Sequence, residues 1–218
     1  RNDGTVLDPI DMEDVFAIND TTNIAQIDAI WRLSRFHRLN FGYFELFRKA
    51  TSTATEDVEI GDIVFPDGSE VDSRLEERTA YATYSYLFMS DSQKEVGVSA
   101  GLHWTHIRVN LESQETGQIE RALISSPLPV IGAQGSIALG QRTSLALRLQ
   151  FFRLNVDQYT GRLNYINFGV EHLFTNSISM GVGYQLYDLR LESDSLSLSG
   201  KYEVRHHGPF LFAGISFQ

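Results

Sequence analysis

The feature that most constrains this chain is an alternation of apolar and polar residues that recurs along most of its 218 residues. In residues 144–152, large apolar side chains occupy every second position, and Ala146, Arg148 and Gln150 fall between them. Successive side chains of a β-strand point to opposite faces, whereas a helix would not separate these two sets. The pattern predicts nine strands, at about 24–33, 39–43, 79–88, 95–104, 131–139, 144–152, 165–171, 178–186 and 202–217.

The connections between these strands alternate in length. The short ones are 34–37, 90–92, 140–143 and 175–177, and the longer ones are 49–73, 110–126, 157–161 and 192–200. Transmembrane β-barrels have short turns at the periplasmic end and longer loops at the outer end. A soluble meander has no reason to sort its loops in this way. The sequence therefore predicts an all-β fold, an up-and-down antiparallel transmembrane β-barrel formed by residues 1–218 as a single domain.

Strand direction then bears on the number of strands. If the short turns are periplasmic, strands 24–33 and 202–217 both run toward the periplasm. A single-chain antiparallel barrel of the bacterial type has an even number of strands. We therefore expect ten strands, with the first at or before residue 8 or upstream of Arg1. The acidic segment 1–22 is expected to be a loop or the remnant of that strand.

Aromatic residues on the apolar faces fall into two groups according to their position along the strands. One group lies near the long loops and the other near the short turns, with aliphatic residues between them. Two such girdles bracket the lipid-facing band of a membrane barrel. The predicted girdle residues are Trp31, Phe88 and Phe217 near the short turns, and Tyr43, Trp104, Phe151 and Tyr184 near the long loops.

Five charged residues fall on the polar, inward-facing side of the predicted strands. Charges inside a narrow barrel must be paired or hydrated, and a ten-stranded barrel is only slightly wider than one that side chains fill. We therefore expect lumen ion pairs that block the interior. Arg148 and Glu171 are the first candidates for a pair, because they lie at similar distances from short turns on adjacent strands. The five residues are Asp28, Arg32, Glu95, Arg148 and Glu171.

Composition argues against several functions. The chain contains no cysteine, which removes disulfides, Cys-ligated zinc and thiol catalysis. Its net charge of −10 argues against nucleic acid as a partner, because phosphate binding needs clustered Lys and Arg. His103 and His106 should lie on opposite faces of one strand, as should His206 and His207, so neither pair should share a metal ion. We predict no metal site and no cofactor.

Three stretches of the chain resemble the small outer-membrane β-barrel families of Gram-negative bacteria. They are the segment 31–41, the loop segment 60–68, and the C-terminal segment 208–217, which ends on Phe217 before Gln218. The last is similar to the closing strand that such barrels present to their assembly machinery. The resemblance implies a fold and a location in the cell envelope, and it implies no activity.

The leading expectation is a non-enzymatic protein of the bacterial outer membrane. Its role would be structural or in interactions, or it would be a narrow, porin-like conduit for small solutes with a mostly plugged polar lumen. The expected partners are outer-membrane lipid and lipopolysaccharide, the barrel-assembly machinery through the C-terminal strand, and other envelope proteins.

Two alternatives remain at this point. The first is an outer-membrane enzyme that acts on lipid or peptide at the extracellular rim. Ser99, His103 and Glu95 share a strand face, but Glu95 lies eight residues from His103, roughly 26 Å along an extended strand. The second is a soluble, lipocalin-like ligand-binding barrel, in which the apolar face would pack inward.

Overall fold

The structure is a computed structural model that describes residues 23–53, 58–60, 63–65, 68–113, 119–156, 159–195 and 198–217. All regular secondary structure within these ranges is β-strand. No helix in the same ranges is long and apolar enough to cross a membrane. The strands are β1 (Ala25–Arg32), β2 (His37–Thr53), β3 (Val58–Ile60), β4 (Ile63–Phe65), β5 (Glu70–Ser90), β6 (Lys94–Ser113), β7 (Ile119–Ala138), β8 (Thr143–Val156), β9 (Tyr159–Leu173), β10 (Ile178–Ser195) and β11 (Leu198–Ile215).

Nine of these strands form one antiparallel up-and-down sheet in the order β1-β2-β5-β6-β7-β8-β9-β10-β11. β3 and β4 pair with each other as a separate two-stranded hairpin. The nine predicted strands are therefore confirmed as the nine strands of the large sheet. The β3–β4 hairpin was not predicted, since it lies within the long connection 49–73.

The four short turns are also confirmed. At the first of them, the backbone N–H groups of Leu33 and Ser34 donate to the carbonyl oxygen of His37. Between β5 and β6, the Asp91 carboxylate accepts hydrogen bonds from the backbone N–H groups of Gln93 and Lys94, each at 2.8 Å. These two bonds lower the pKa of the Asp91 carboxyl from its ordinary value. Local hydrogen bonds thus stabilise turns at the end of the strands where the sequence predicts them.

The strands extend further into the long connections than the sequence predicts. β6 continues to Ser113 and β10 to Ser195, so much of the predicted loops 110–126 and 192–200 is strand. Beyond the exposed apolar part of these strands the alternation continues with the polarity of the two faces exchanged. In β10, for example, Leu189 is buried while Arg190 lies on the other face. The strand limits were predicted from the apolar part of the exposed face alone, and they therefore fell short.

A tenth strand would have to pair with the two edge strands of the sheet, β1 and β11. β1 and β11 stand at opposite ends of the strand order and do not pair with each other in the part of the chain that the structure describes. A tenth strand at or before residue 8, like the rest of segment 1–22, lies outside the described residues. Its existence stays a prediction.

The described residues divide into two compact units. The first comprises those within Arg1–Asp28, Gly42–Tyr81 and His103–Pro127, and the second those within Ala29–Phe41, Ala82–Leu102 and Leu128–Gln218. β8, β9, β10 and β11 lie entirely in the second unit.

In both units, side chains alternate between a buried face and an exposed face of the sheet, except in β1, where seven of the eight side chains are exposed. From Glu77 to Phe88 in β5, every odd-numbered residue is buried and every even-numbered residue is exposed. The described residues contain no second layer of regular structure over the buried face, so burial of this face within each unit reflects the curl of the sheet. The predicted division into two faces is confirmed for the strands of the large sheet other than β1.

Candidate functional site

The buried face carries the polar side chains and the exposed face carries the apolar ones, which reverses the usual arrangement of a soluble protein. On the exposed face of the second unit, Ile131 is 70% exposed and Val182 is 55% exposed. Buried polar residues of that unit are Asn40, Thr83, Ser85, Ser90, Ser99, Gln134, Gln150, Ser179, Gln185 and His206. Some large hydrophobic side chains, such as Tyr165 and Leu189, are buried among them.

A charged cluster centres on Glu95 in the second unit. The Glu95 carboxylate accepts hydrogen bonds from Arg32 Nη1 at 2.6 Å and from Arg38 Nη2 at 2.5 Å. The hydroxyl groups of Ser90 and Ser136 lie 3.4 and 3.5 Å from the two carboxylate oxygens. Arg32 and Glu95, which were both predicted as lumen residues, therefore form an ion pair with each other. Arg38 is the second cation of the cluster.

Asp28, in the first unit, has neutral hydrogen-bond donors around it. The Tyr81 hydroxyl donates to its carboxylate, and Gln26 Nε2 donates at 2.7 Å. No ion pair of Asp28 is found among the described residues. The Tyr81 ring has room because residue 42 is glycine, where a Cβ would lie 2.3 Å from the ring.

Arg148 belongs to a polar row that crosses four strands of the second unit. The ladder places Arg148 opposite Gln134 on β7 and opposite Asn167 on β9, and Asn167 lies opposite Gln185 on β10. Asn167 Nδ2 donates to Gln185 Oε1 at 3.1 Å, which links the last two members of the row. These side chains all belong to the buried face.

The expectation that Arg148 lies at the depth of Glu171 is wrong. The ladder places Glu171 opposite Ser144, four residues from the position opposite Arg148, or about 13 Å along the strand. The prediction counted residues from two different short turns. Antiparallel neighbours are aligned by the hairpin that joins them, and strands tilted in a curled sheet do not bring their other ends to one level.

A cavity of about 100 Å³ lies beside these residues, within the second unit. Its polar lining comes from Arg38, Glu95, Gln134, Arg148 and Asn167. The cavity therefore joins the Glu95 cluster to the polar row.

The paired histidines lie on opposite faces, as the strand geometry predicts. His103 is buried and its ring stacks on Tyr81, with 5.0 Å between the ring centroids, whereas His106 is exposed. His206 is buried against Tyr187, whereas the exposed His207 meets the Tyr184 hydroxyl at 2.7 Å. Within the described residues, no group of three or more His, Cys, Asp or Glu side chains is arranged to hold a metal ion.

The predicted girdle residues all lie on the exposed face. Two of them make polar contacts there: Trp104 Nε1 donates to Ser125 Oγ at 3.2 Å, and the Tyr43 hydroxyl donates to Glu45 at 2.6 Å. The residues are Trp31, Tyr43, Phe88, Trp104, Phe151, Tyr184 and Phe217.

Near the long loops, charged residues replace the apolar residues on the exposed face. In the first unit, Arg78 pairs with Glu45 and Glu76, and Arg108 lies 3.7 Å from Glu76. The exposed apolar surface therefore ends below these residues in this unit.

In the second unit, three arginines stand in one row of the ladder. Arg153 on β8 is opposite Arg162 on β9, which is opposite Arg190 on β10. Asp188 pairs with Arg162 at 3.2 Å and Glu203 with Arg190 at 3.7 Å. Like charges directly opposite each other destabilise a sheet, and these two acids offset part of the repulsion within the row.

Glu77 is a buried carboxyl that the sequence analysis did not single out. It lies in the first unit beyond the apolar surface, between Glu76 and Arg78 on the chain, and it is fully buried. Burial raises the pKa of Glu77 to about 7, while the Thr79 hydroxyl, 3.3 Å away, and the positive charge of Arg48 oppose the rise. Glu77 lies two residues from the buried Thr79, and Arg38 lies two residues from the buried Asn40. Because every second residue of a strand points to the same face, the alternation alone could have placed Glu77 and Arg38 on the buried face.

Glu77 should make the protein less stable as the pH rises from about 4.5 to about 7. Between these values the unfolded chain releases the proton that the folded protein still holds, so unfolding becomes easier with rising pH. The difference between these two pKa values corresponds to about 3 kcal/mol in the free energy of unfolding. Urea unfolding at several pH values, compared with Glu77→Gln, measures this. Equal pH dependence in both proteins would exclude Glu77 as the cause.

Neither the known protein families nor the curated proteins include a match to this chain. Its own geometry defines an all-β, up-and-down antiparallel sheet with a polar buried face and an apolar exposed face.

Proposed function

We propose that this chain is a β-barrel protein of the bacterial outer membrane, non-enzymatic, with a mostly plugged polar interior and a structural or interaction role. The observation that carries the proposal is the inverted polarity of the sheet. Exposure of such an apolar face to water is unfavourable, whereas the hydrocarbon core of a membrane would cover it. In a membrane, the polar groups of the protein must form their hydrogen bonds within the barrel.

The extent of the apolar surface supports a membrane over a soluble ligand-binding barrel. Soluble monomers rarely expose contiguous apolar patches of more than a few hundred Å². Here, large hydrophobic side chains are exposed on every strand from β5 to β11, and a lipocalin-like barrel would turn these residues inward. Fractionation of Gram-negative cells that produce the chain behind an added secretion signal tests the location: the protein should sediment with outer membranes and require detergent for extraction.

The need for closure supports a tenth strand. An open sheet edge in lipid leaves backbone N–H and C=O groups without partners. We propose that residues within 1–22, or residues upstream of Arg1, pair with β1 and β11. A protein extended upstream should then resist unfolding in lipid better than the chain that begins at residue 23.

The arginine row of the second unit supports lipopolysaccharide as the surrounding lipid. Arg153, Arg162 and Arg190 lie beyond the apolar part of the exposed face, toward the long loops. Phosphate groups at the outer surface of the membrane would bridge these opposed positive charges and relieve their repulsion. We also propose that β11 is the strand recognised by the barrel-assembly machinery, because its exposed face ends in Leu211, Ile215 and Phe217.

The buried cluster supports a plugged interior over a conduit. Arg32 and Arg38 bind both oxygens of Glu95, and the polar row from Gln134 to Gln185 lies beside them. Paired charges and side-chain amides that bond each other leave little room for a continuous column of water.

The protein should therefore show little or no steady conductance in planar lipid bilayers. Replacing Arg38 and Glu95 together by Ala should raise the conductance, because the double change removes the buried bridge and leaves only Arg32, whose side chain is half-exposed, without its counter-charge. The double variant Arg190→Ala with Glu203→Ala, on the exposed face, is the matched control and should not conduct. Large, stable channels in the unmodified protein would favour the conduit instead.

A further inference from the structure

The ladder between β7 and β8 ends before the two strands do. Its last pair toward the long loops is Ile131 opposite Phe151. β8 continues beyond Phe151 and stays paired with β9 as far as Val156. Within the second unit, residues 128–130 of β7 and 152–154 of β8 therefore follow the last pair without a ladder between them. We call these two segments the proline seam.

Prolines in β7 account for the end of this ladder. The backbone N–H of Leu139 donates to the carbonyl oxygen of Thr143 on β8, so the odd-numbered residues of β7 direct their backbone nitrogens toward β8. Pro129 has this parity, as does Pro127 two residues earlier in the chain. A proline has no N–H to donate, and within sheets it is confined to edges, strand starts and bulges. Two successive ladder donors of β7 are therefore missing at the proline seam.

The exposure of β8 at the proline seam is that of an edge strand. Arg153, Leu154 and Asn155 are all exposed, although successive side chains of a strand point to opposite faces. Leu154 has the parity of the buried Gln150 and is nevertheless 41% exposed. The inner face of β8 is thus accessible at this level, and the side chain that it presents there is apolar.

Apolar side chains lie on both faces of the sheet next to the proline seam. On the exposed face, Ile131 and Phe151 are large and exposed. On the buried face, Leu128, Val130 and Leu163 are 0–3% exposed, so the interior is closed in this structure. Separating the two segments would connect these two apolar surfaces. The separation breaks no hydrogen bond donated by a proline of β7, so it costs less here than along the rest of the ladder.

The outer rim of the proline seam carries a positive charge. Arg153 is exposed and stands opposite Arg162 on β9. Arg162 pairs with Asp188, whereas Arg153 has no ion pair among the residues that the structure describes. A negative group bound at this rim would be attracted to both guanidinium groups.

We propose that the proline seam is a lateral entrance for a single-chain lipid with a negative head group, such as a long-chain fatty acid. The chain would pass from the lipid-facing surface between the two segments and contact Leu128, Val130 and Leu163. Arg153 would bind the carboxylate at the rim. This inference rests on the membrane location proposed above.

A photoreactive long-chain fatty acid is the probe. The folded protein in lipid bilayers that contain this fatty acid is illuminated, and the labelled residues are identified by mass spectrometry. Labels should appear on the buried face at Leu128 and Leu163, as well as on the exposed face at Ile131 and Leu147. Labels on the exposed face alone would overturn the entrance and leave the membrane location standing. Labels on neither face would overturn both.

Restoring the missing donors should close the entrance. In the double variant Pro127→Val with Pro129→Val, two N–H groups can donate to β8, and labelling of Leu163 should fall about tenfold. Labelling of Leu147 should stay unchanged, which provides an internal reference. Pro209→Val is the matched control, because Pro209 lies on the exposed face of β11, opposite Tyr184 and away from the seam.

The head group is tested separately. Arg153→Gln should reduce labelling of Leu163 by the fatty acid about tenfold, the loss expected for one hydrogen bond between charged groups. It should not change labelling by the photoreactive fatty alcohol of the same length. The proposal is overturned if the double proline variant labels Leu163 as the unmodified protein does, if Pro209→Val loses as much, or if Arg153→Gln affects the acid and the alcohol equally.

Discussion

Leu147→Arg should severely impair folding into membranes. Leu147 lies near the middle of β8 on the exposed face, between Leu145 and Leu149, and is 43% exposed. An arginine at the lipid-facing midplane of a barrel costs about 2–4 kcal/mol. A loss of this size equals a large part of the stability of a domain. The folded fraction in lipid vesicles, measured by the heat-dependent shift in electrophoretic mobility, should fall sharply.

Leu154→Arg is the matched control for this change. It is the same substitution on the same strand, but Leu154 has the parity of Gln150, is 41% exposed and lies beside Arg153 near the long-loop end of β8, away from the middle of the lipid-facing surface. It should fold nearly as well as the unmodified protein. Gln150 on the buried face is a poor control, because it is only 1% exposed and an arginine there would not fit. Equal folding of the two leucine variants would contradict the proposed lipid-facing surface.

Glu95→Gln should be the most destabilising neutral substitution on the buried face. It leaves Arg38, whose side chain is only 12% exposed, without its counter-charge. Breaking a buried ion pair from one side costs about 3–5 kcal/mol. We expect about 2–3 kcal/mol in the free energy of unfolding, because Arg32 is half-exposed and water screens its share.

Glu203→Gln provides the comparison for the Glu95 variant. It removes the same charge from a pair with Arg190 that is 3.7 Å long and exposed on both sides. Such surface pairs contribute about 0–1 kcal/mol. Urea unfolding of both variants in the same detergent gives the two losses directly. Similar losses would show that the Glu95 cluster does not stabilise the interior.

The division of the chain into strands with two faces could be predicted from the sequence, because a period of two reports polarity directly. It placed Leu147 and Val182 on the exposed face and Gln150 on the buried face, as the structure does. Strand ends could not be predicted in the same way. β10 continues to Ser195, and in its outer part the apolar side chains, such as Leu189, lie on the buried face instead of the exposed one. A strand end predicted from the exposed apolar face alone is therefore placed too early.

The partners of the buried charges were harder to predict than their face. Arg32 and Glu95 are 63 residues apart in the chain, and their meeting depends on the curl of the sheet. The sequence placed Arg148 and Glu171 on the same face correctly, but it did not predict that they lie at different levels of the ladder. The register between β8 and β9 is set by the hairpin that joins them. Parity is a local property of the sequence, whereas register and curl arise only when several strands assemble.

The most direct test of the lipid-facing surface is the environment of each residue along β8. The chain contains no cysteine, so single cysteines at positions 145 to 151 can each carry one spin label without a background signal. In lipid vesicles, collisions with oxygen report exposure to lipid, and collisions with a water-soluble nickel chelate report exposure to water. The account predicts a period of two, with high oxygen accessibility at 145, 147, 149 and 151 and low values at 146, 148 and 150. High nickel accessibility at the odd positions, or no alternation at all, would contradict it.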